Sequence, residues 1–310
     1  MTVGKIRIAL VGLGKIARDQ HLPAIADDDR FELVAIVSRN ADLDGVAHFT
    51  ALEDLLASDV AIDAVALCTP PQPRHRLAHL ALTAGKHVML EKPPGATLSE
   101  VEDLRLTAAE RGLTLQTTWH SRHAPGVEPA RAWLAERTIQ AMRISWKEDV
   151  RVWHPGQDWI WDAGGLGVFD PGINALSIAT RILPRPFFLT QAVLHVPQNR
   201  QSPIQAELDF VDAAGAPITA AFDFLQTGPQ SWDIEVETTE GQLKLSHGGS
   251  KLWLDGILTL EAPDAEYPGL YDAFANLIAN RQSDVDVSPL RHVADAFLLG
   301  RRVVAPAFVE

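Results

Sequence analysis

The chain has 310 residues, 46% of them hydrophobic and 22% charged, with one cysteine and a formal net charge of -13. That length exceeds a single small core and implies two domains of an ordinary globular protein, with no apolar run approaching a membrane span. The lone Cys68 excludes an internal disulfide and a cysteine-rich zinc site, and the acidic balance speaks against gripping a nucleic-acid backbone, which needs a basic face.

The opening residues lead straight into a predicted strand with no signal-peptide pattern, which points to the cytoplasm. Up to about residue 118, strand and helix patterns alternate. The runs Ile6 to Val11, Leu33 to Val37, Ala64 to Cys68, His87 to Leu90 and Leu113 to Thr118 are short and apolar, as strands buried on both faces are. Helical patterns separate them, from Lys15 to about Ala26, near Leu52 to Ala57, and from about Arg74 to Thr83, where Gly85 supplies a stop. Thr97-Leu98-Ser99-Glu100 fits a capping box that opens a further helix to about Glu110. The alternation predicts a Rossmann-type, doubly wound parallel sheet over residues 1–122.

Beyond that point a helix is expected from Glu128 to Glu136, and the chain turns strand-rich from Ala141. Turn signals at Ala214-Gly215, Glu240-Gly241, Gly248-Gly249 and Asp255-Gly256 suit an antiparallel meander. The alternation in Ile234-Glu235-Val236-Glu237 indicates that one face is covered. Helical patterns return from Gly269 to Asn280 and from Pro289 to Arg302. Residues 123–310 are therefore expected to form an α+β domain with a large, mostly antiparallel open sheet. Its C-terminal helix would pack back on the first domain, and its second sheet face would offer a surface for homo-oligomers.

Chemistry is concentrated at the expected strand ends. Gly12-Leu13-Gly14-Lys15-Ile16-Ala17 is a G-x-G-x-x-A turn between strand and helix. Gly12 allows the tight turn, Gly14 lets the backbone approach a pyrophosphate, and the helix start that carries Lys15 and Ile16 favours its charge. The second strand ends in Ser38 and Arg39 where an acidic residue would select NAD, so NADP is favoured; Arg39 could also stack on adenine in an NAD enzyme, or simply be solvated. Thr69 and Pro70 follow the third strand and should border the cofactor, and His75 is either close to its ring or structural. Glu91-Lys92-Pro93-Pro94 ends the fourth strand and would aim Lys92 at a nicotinamide, with Glu91 beside it. A glycine-rich run leads to Asp170 and Asn174, which share a face if the segment is helical; Asp170 could instead be a helix cap. No His, Asp or Glu spacing suggests a metal site.

The Gly-x-Gly-x-x-Ala turn, Glu91-Lys92-Pro93 and the run into Asp170 resemble the Gfo/Idh/MocA oxidoreductases over essentially the whole chain. Lys15 to Ile25, Thr118 to Arg122, Trp146 to Arg151, Trp153 to Gln157 and Phe169 to Ser177 are similar to the bacterial L-arabinose/D-galactose 1-dehydrogenases within that family. The broader family usually carries a histidine four residues after the aspartate. Here Asn174 stands there, as in the aldose 1-dehydrogenase pattern. The resemblance implies a sugar pocket built from Lys92, His120, Glu148, Trp153, His154, Asp170, Asn174 and Trp232. It also implies oxidation of the anomeric carbon of D-galactose, L-arabinose or D-fucose to the aldonolactone, with NADP or NAD as acceptor and Lys92, or Lys92 with Asp170, as the base. The residue types suit a sugar on their own terms. All eight tryptophans lie between Trp119 and Trp253, indole faces pack on the C–H face of a sugar, and acids and amides take its hydroxyls. Two other readings stay open: another sugar or inositol dehydrogenase of the same family, and a non-catalytic sensor of sugar or nucleotide.

Overall fold

The computed structural model describes residues 4–309. The chain divides into two compact units. The first runs up to Trp119 and is rejoined by Tyr267–Val287; the second holds His120–Glu266 and the residues from Ser288 on. The boundary expected after residue 122 thus comes after Trp119, and the late excursion is the helix Glu266–Asn280 with the turn that follows it. That helix returns because it carries an apolar stripe. Tyr267, Leu270, Tyr271 and Phe274 are buried in one cluster with Ile8, Leu10, Ile36 and Met89.

In the first unit the strands are β1 (Ile6–Val11), β2 (Phe31–Val37), β3 (Ala47–Phe49), β4 (Ala64–Leu67), β5 (His87–Leu90) and β6 (Leu115–Thr117). They pair in parallel in the order β3-β2-β1-β4-β5-β6. Alternate residues go to opposite faces, as the period of two requires. Ala9, Val11, Val65, Leu67, Val88 and Leu90 enter one core, and Ile8, Leu10, Ala64, Ala66 and Met89 the other. The order reverses between β1 and β4, and the crevice outside such a reversal is where open α/β sheets bind ligands. Thr97 caps the helix Leu98–Arg111 with the expected reciprocal bonds, its Oγ1 accepting from Glu100 N–H and the Glu100 carboxylate accepting from Thr97 N–H.

The second unit carries β7 (Ile139–Lys147), β8 (Phe187–Pro197), β9 (Gln205–Asp212), β10 (Pro217–Asp223), β11 (Ser231–Thr238), β12 (Gly241–Ser246), β13 (Lys251–Leu254), β14 (Ile257–Glu261) and β15 (Arg301–Ala305). Their order is β14-β13-β12-β11-β7-β10-β9-β8-β15. All neighbours are antiparallel except β7 with β10 and β8 with β15. The expected meander is therefore split, because β7 inserts between β10 and β11. The last helix ends at Leu299, not Arg302, and the chain continues as β15. Gly300 makes that corner, since a Cβ there would lie 2.4 Å from the Ala296 carbonyl oxygen. The helix Phe169–Ile182 packs against the covered sheet face that includes Ile144, Trp146, Ile234 and Val236. Gly172 permits the approach; a Cβ there would meet the Phe222 ring at 2.6 Å. Among the described residues no helix is long and apolar enough to cross a membrane.

Candidate active site

The singled-out residues divide between the units. In the first, the turn after β1 places Gly12 at φ +95° with its backbone against Cys68 and Thr69, where a Cβ would sit 3.1 Å from both. Gly14 faces open space, with nothing within 4 Å of an added Cβ. A side chain would fill the volume above the helix start that a pyrophosphate needs, so the turn fits a dinucleotide. Lys15 is exposed and paired with Asp19, and Ile16 is half-buried. The helix then contains a π turn, Ala17–His21, closed by Leu22 N–H on the Ala17 carbonyl. Ser38 and Arg39 lie beyond the end of β2, Ser38 half-buried with its carbonyl bonded to His48 at 2.8 Å, and Arg39 exposed.

Thr69 and Pro70 leave β4 at its carboxyl end and open the helix Pro71–Thr83. His75, on that helix, turns outward, its Nε2 meeting Asp103 Oδ2 at 2.8 Å. The residue before it turns inward. Arg74 is buried and donates to the carbonyls of Thr69, Glu91 and Pro93. Lys92 itself is half-buried, and the Lys92–Pro93 peptide is cis. Its N–H donates to Glu91 Oε2 and Thr118 Oγ1, both at 3.0 Å.

The Glu91 side chain points into the unit. Its Oε1 accepts from Tyr267 OH at 2.9 Å and from His21 Nε2 at 3.0 Å, and His21 Nδ1 meets Tyr271 OH at 2.8 Å. His21, Glu91, Tyr267 and Tyr271 are all buried. Burial opposes a charge on His21, but Cys68, Tyr271 and the hydrogen bond to Glu91 outweigh it and raise the His21 pKa well above its ordinary value. Burial pushes the Tyr271 phenol up to about 12. The network was not singled out from sequence. Two signals pointed to it: His21 lies four residues after Ala17 on the buried side of the helix, and the chain's only two tyrosines are spaced i, i+4.

In the second unit, Glu148 follows β7, is buried, and accepts from Trp232 Nε1 at 2.8 Å and His154 Nε2 at 2.9 Å. His154 Nδ1 faces Asp170 Oδ2 at 3.6 Å, beyond a direct hydrogen bond. Asp170 is the second residue of its helix, with Val168 as cap, so it is not the cap itself; Asn174 follows one turn on, half-buried. Trp153 leans on Trp232 with ring centroids 4.8 Å apart, and Trp232 stacks on buried Trp146 at 6.0 Å. Trp153 is 39% exposed and keeps an apolar face open beside the acids. His120 is held by the Glu266 carboxylate. Glu148, Trp153, His154, Asp170 and Trp232 form one linked cluster of acid, imidazole and indole. Among the described residues no group of His, Cys, Asp and Glu is placed to hold a metal ion.

A family model described as an oxidoreductase family with an NAD-binding Rossmann fold matches residues 6–118. Galactose 1-dehydrogenase of Pseudomonas fluorescens is 47% identical over 98% of this chain and 99% of its own length. The crystal structure of a D-galactose-1-dehydrogenase protein from Rhizobium etli is 58% identical, with a TM-score of 0.95 covering 100% of this chain and 99% of that one. A 3-ketoreductase from Actinomadura kijaniata, solved with NADP and TDP-benzene, shares the fold alone, at 22% identity and a TM-score of 0.85 over 98% of this chain and 100% of that one.

Proposed function

Because this chain belongs to the Gfo/Idh/MocA family of oxidoreductases, we propose that it oxidises the anomeric carbon of a galactose-configured aldose to the lactone. The observation that carries the reading is the Glu148 cluster. A buried carboxylate that already holds an indole N–H and an imidazole is fixed in place, with lone pairs left for sugar hydroxyls. Trp153 supplies the apolar surface on which a sugar C–H face packs. The full-length likeness to two proteins named for galactose oxidation supports the same substrate class.

The bound nicotinamide supplies the hydride acceptor. Lys92, alone or together with Asp170, takes the C1 hydroxyl proton as the C1–H bond is broken. The remaining members of the cluster orient the pyranose. L-Arabinose has the ring configuration of D-galactose without the exocyclic hydroxymethyl group, and D-fucose carries a methyl in its place, so both are proposed substrates. D-Glucose presents its C4 hydroxyl the other way and leaves a hydrogen-bonding group mispaired. A panel of aldoses assayed by reduced-cofactor absorbance should place kcat/KM for glucose roughly one to two orders of magnitude below galactose. Equal values for the two sugars would reject the proposal.

NADP is the proposed preferred cofactor, on the strength of Arg39 and Ser38 at the end of β2 in place of an acid. A guanidinium on a 2′-phosphate contributes about 1.5 kcal/mol through charge-assisted hydrogen bonds. Arg39→Ala should therefore raise KM for NADP about tenfold and leave KM for NAD nearly unchanged. Parallel losses with both cofactors would mean that Arg39 stacks on adenine instead.

A further inference from the structure

Arg74 is a deeply buried arginine close to the loop of the predicted base. It lies in the first turn of the helix Pro71–Thr83, 2% exposed. An arginine at a helix start ordinarily reaches for water, and a buried guanidinium carries a desolvation cost that only well-made hydrogen bonds offset. Here Nη1 donates to the carbonyls of Glu91 and Pro93, and Nη2 to that of Thr69. The first two carbonyls flank Lys92 in the chain. The third closes the loop after β4, which the switch-point rule sets beside the cofactor. The intervening Lys92 N–H is held separately, by Glu91 Oε2 and Thr118 Oγ1.

We infer that Arg74 is a positioning residue for Lys92, locking the loops after β4 and β5 into one body so that the base and the cofactor-facing backbone keep a fixed relative geometry. The planar fork is what the task requires, since one rigid group presents donors to three carbonyls at fixed angles, which an ammonium cannot reproduce. The inference rests on the dehydrogenase reading for its catalytic consequence, but the loop geometry can be read without turnover.

The test uses the full chain with Arg74→Ala and Arg74→Lys. Displacing a base by about 1 Å costs on the order of 10²-fold in rate. Arg74→Ala should lose about that much in kcat, with NADP affinity within about threefold of wild type. Guanidinium chloride at tens of millimolar should restore part of the activity of Arg74→Ala and none in Lys92→Met. Arg74→Lys should stay impaired in kcat. Wild-type kcat in folded Arg74→Lys, or a loss in Arg74→Ala that follows only its unfolded fraction and ignores guanidinium, would overturn the inference. Labelling of Lys92 by an amine-specific reagent should be faster in Arg74→Ala than in wild type. If wild type oxidised no aldose, the substrate reading would fail while this labelling difference still tested the positioning; equal labelling would sink the positioning role.

Discussion

Lys92→Met is expected to lower kcat for D-galactose oxidation by about 10²–10⁴-fold, the range that positioned acid–base groups contribute, with NADP affinity within about threefold of wild type. Methionine keeps an unbranched stem of similar length, so the half-buried position loses its charge and little packing. The groups proposed to favour the dinucleotide are elsewhere, at Gly12, Gly14 and the helix start, and beyond β2 at Ser38 and Arg39. Cofactor binding and turnover should therefore separate. Stopped-flow measurement of hydride transfer, alongside quenching of tryptophan fluorescence by NADP, gives both numbers. A near-normal kcat would remove Lys92 from the chemistry. Asp170→Asn in the same assay tests whether the two residues act as a unit. If they do, the double variant loses little beyond the worse single one.

Residues of the Rossmann sheet were legible because each of its central strands is buried on both faces. Ile8 to Val11 and Ala64 to Leu67 are continuous apolar runs, and such runs are short enough only for strands. Two edge strands were not, β3 in this sheet and β15 in the nine-stranded one. β3 is three residues long and no more than half-buried, and β15 begins with two arginines that continue a helical pattern as readily as they start a strand. The insertion of β7 between β10 and β11 is a non-local pairing, which leaves no trace in local periodicity. The site divides in a similar way. Lys92, Asp170 and Glu148 stand in motifs, whereas Arg74 looks like any helix-surface arginine. One step of about 100° around the helix separates it from His75, and only the folded chain shows that Arg74 faces three carbonyls from two loops while His75 faces Asp103.

The Glu91 network should make folding stability fall with rising pH. His21 has a folded pKa raised well above its unfolded value of ~6.5, so the native state binds the His21 proton more tightly than the unfolded chain does. The sign follows directly: this contribution is fully present below about pH 6.5 and is lost as pH rises through the folded pKa, with a slope of up to about 1.4 kcal/mol per pH unit. Below that window neither state loses the proton and the contribution is flat. His21→Gln keeps a side chain able to donate and accept but removes the titration. The difference between wild type and His21→Gln, from urea unfolding across pH 6 to 9, should then shrink as pH rises, and background titrations common to both cancel. A difference that stays constant or grows with pH would show that His21 is neutral in the fold. Glu91→Leu is the harsher change, because it leaves His21, Tyr267 OH and the Lys92 N–H without the acceptor they share. Breaking a buried pair in this way costs about 3–5 kcal/mol. In whatever fraction folds, kcat should drop as well, since the N–H of Lys92, the proposed base, has lost one of its two anchors. A Glu91→Leu protein with wild-type stability and turnover would leave the buried carboxylate with neither role.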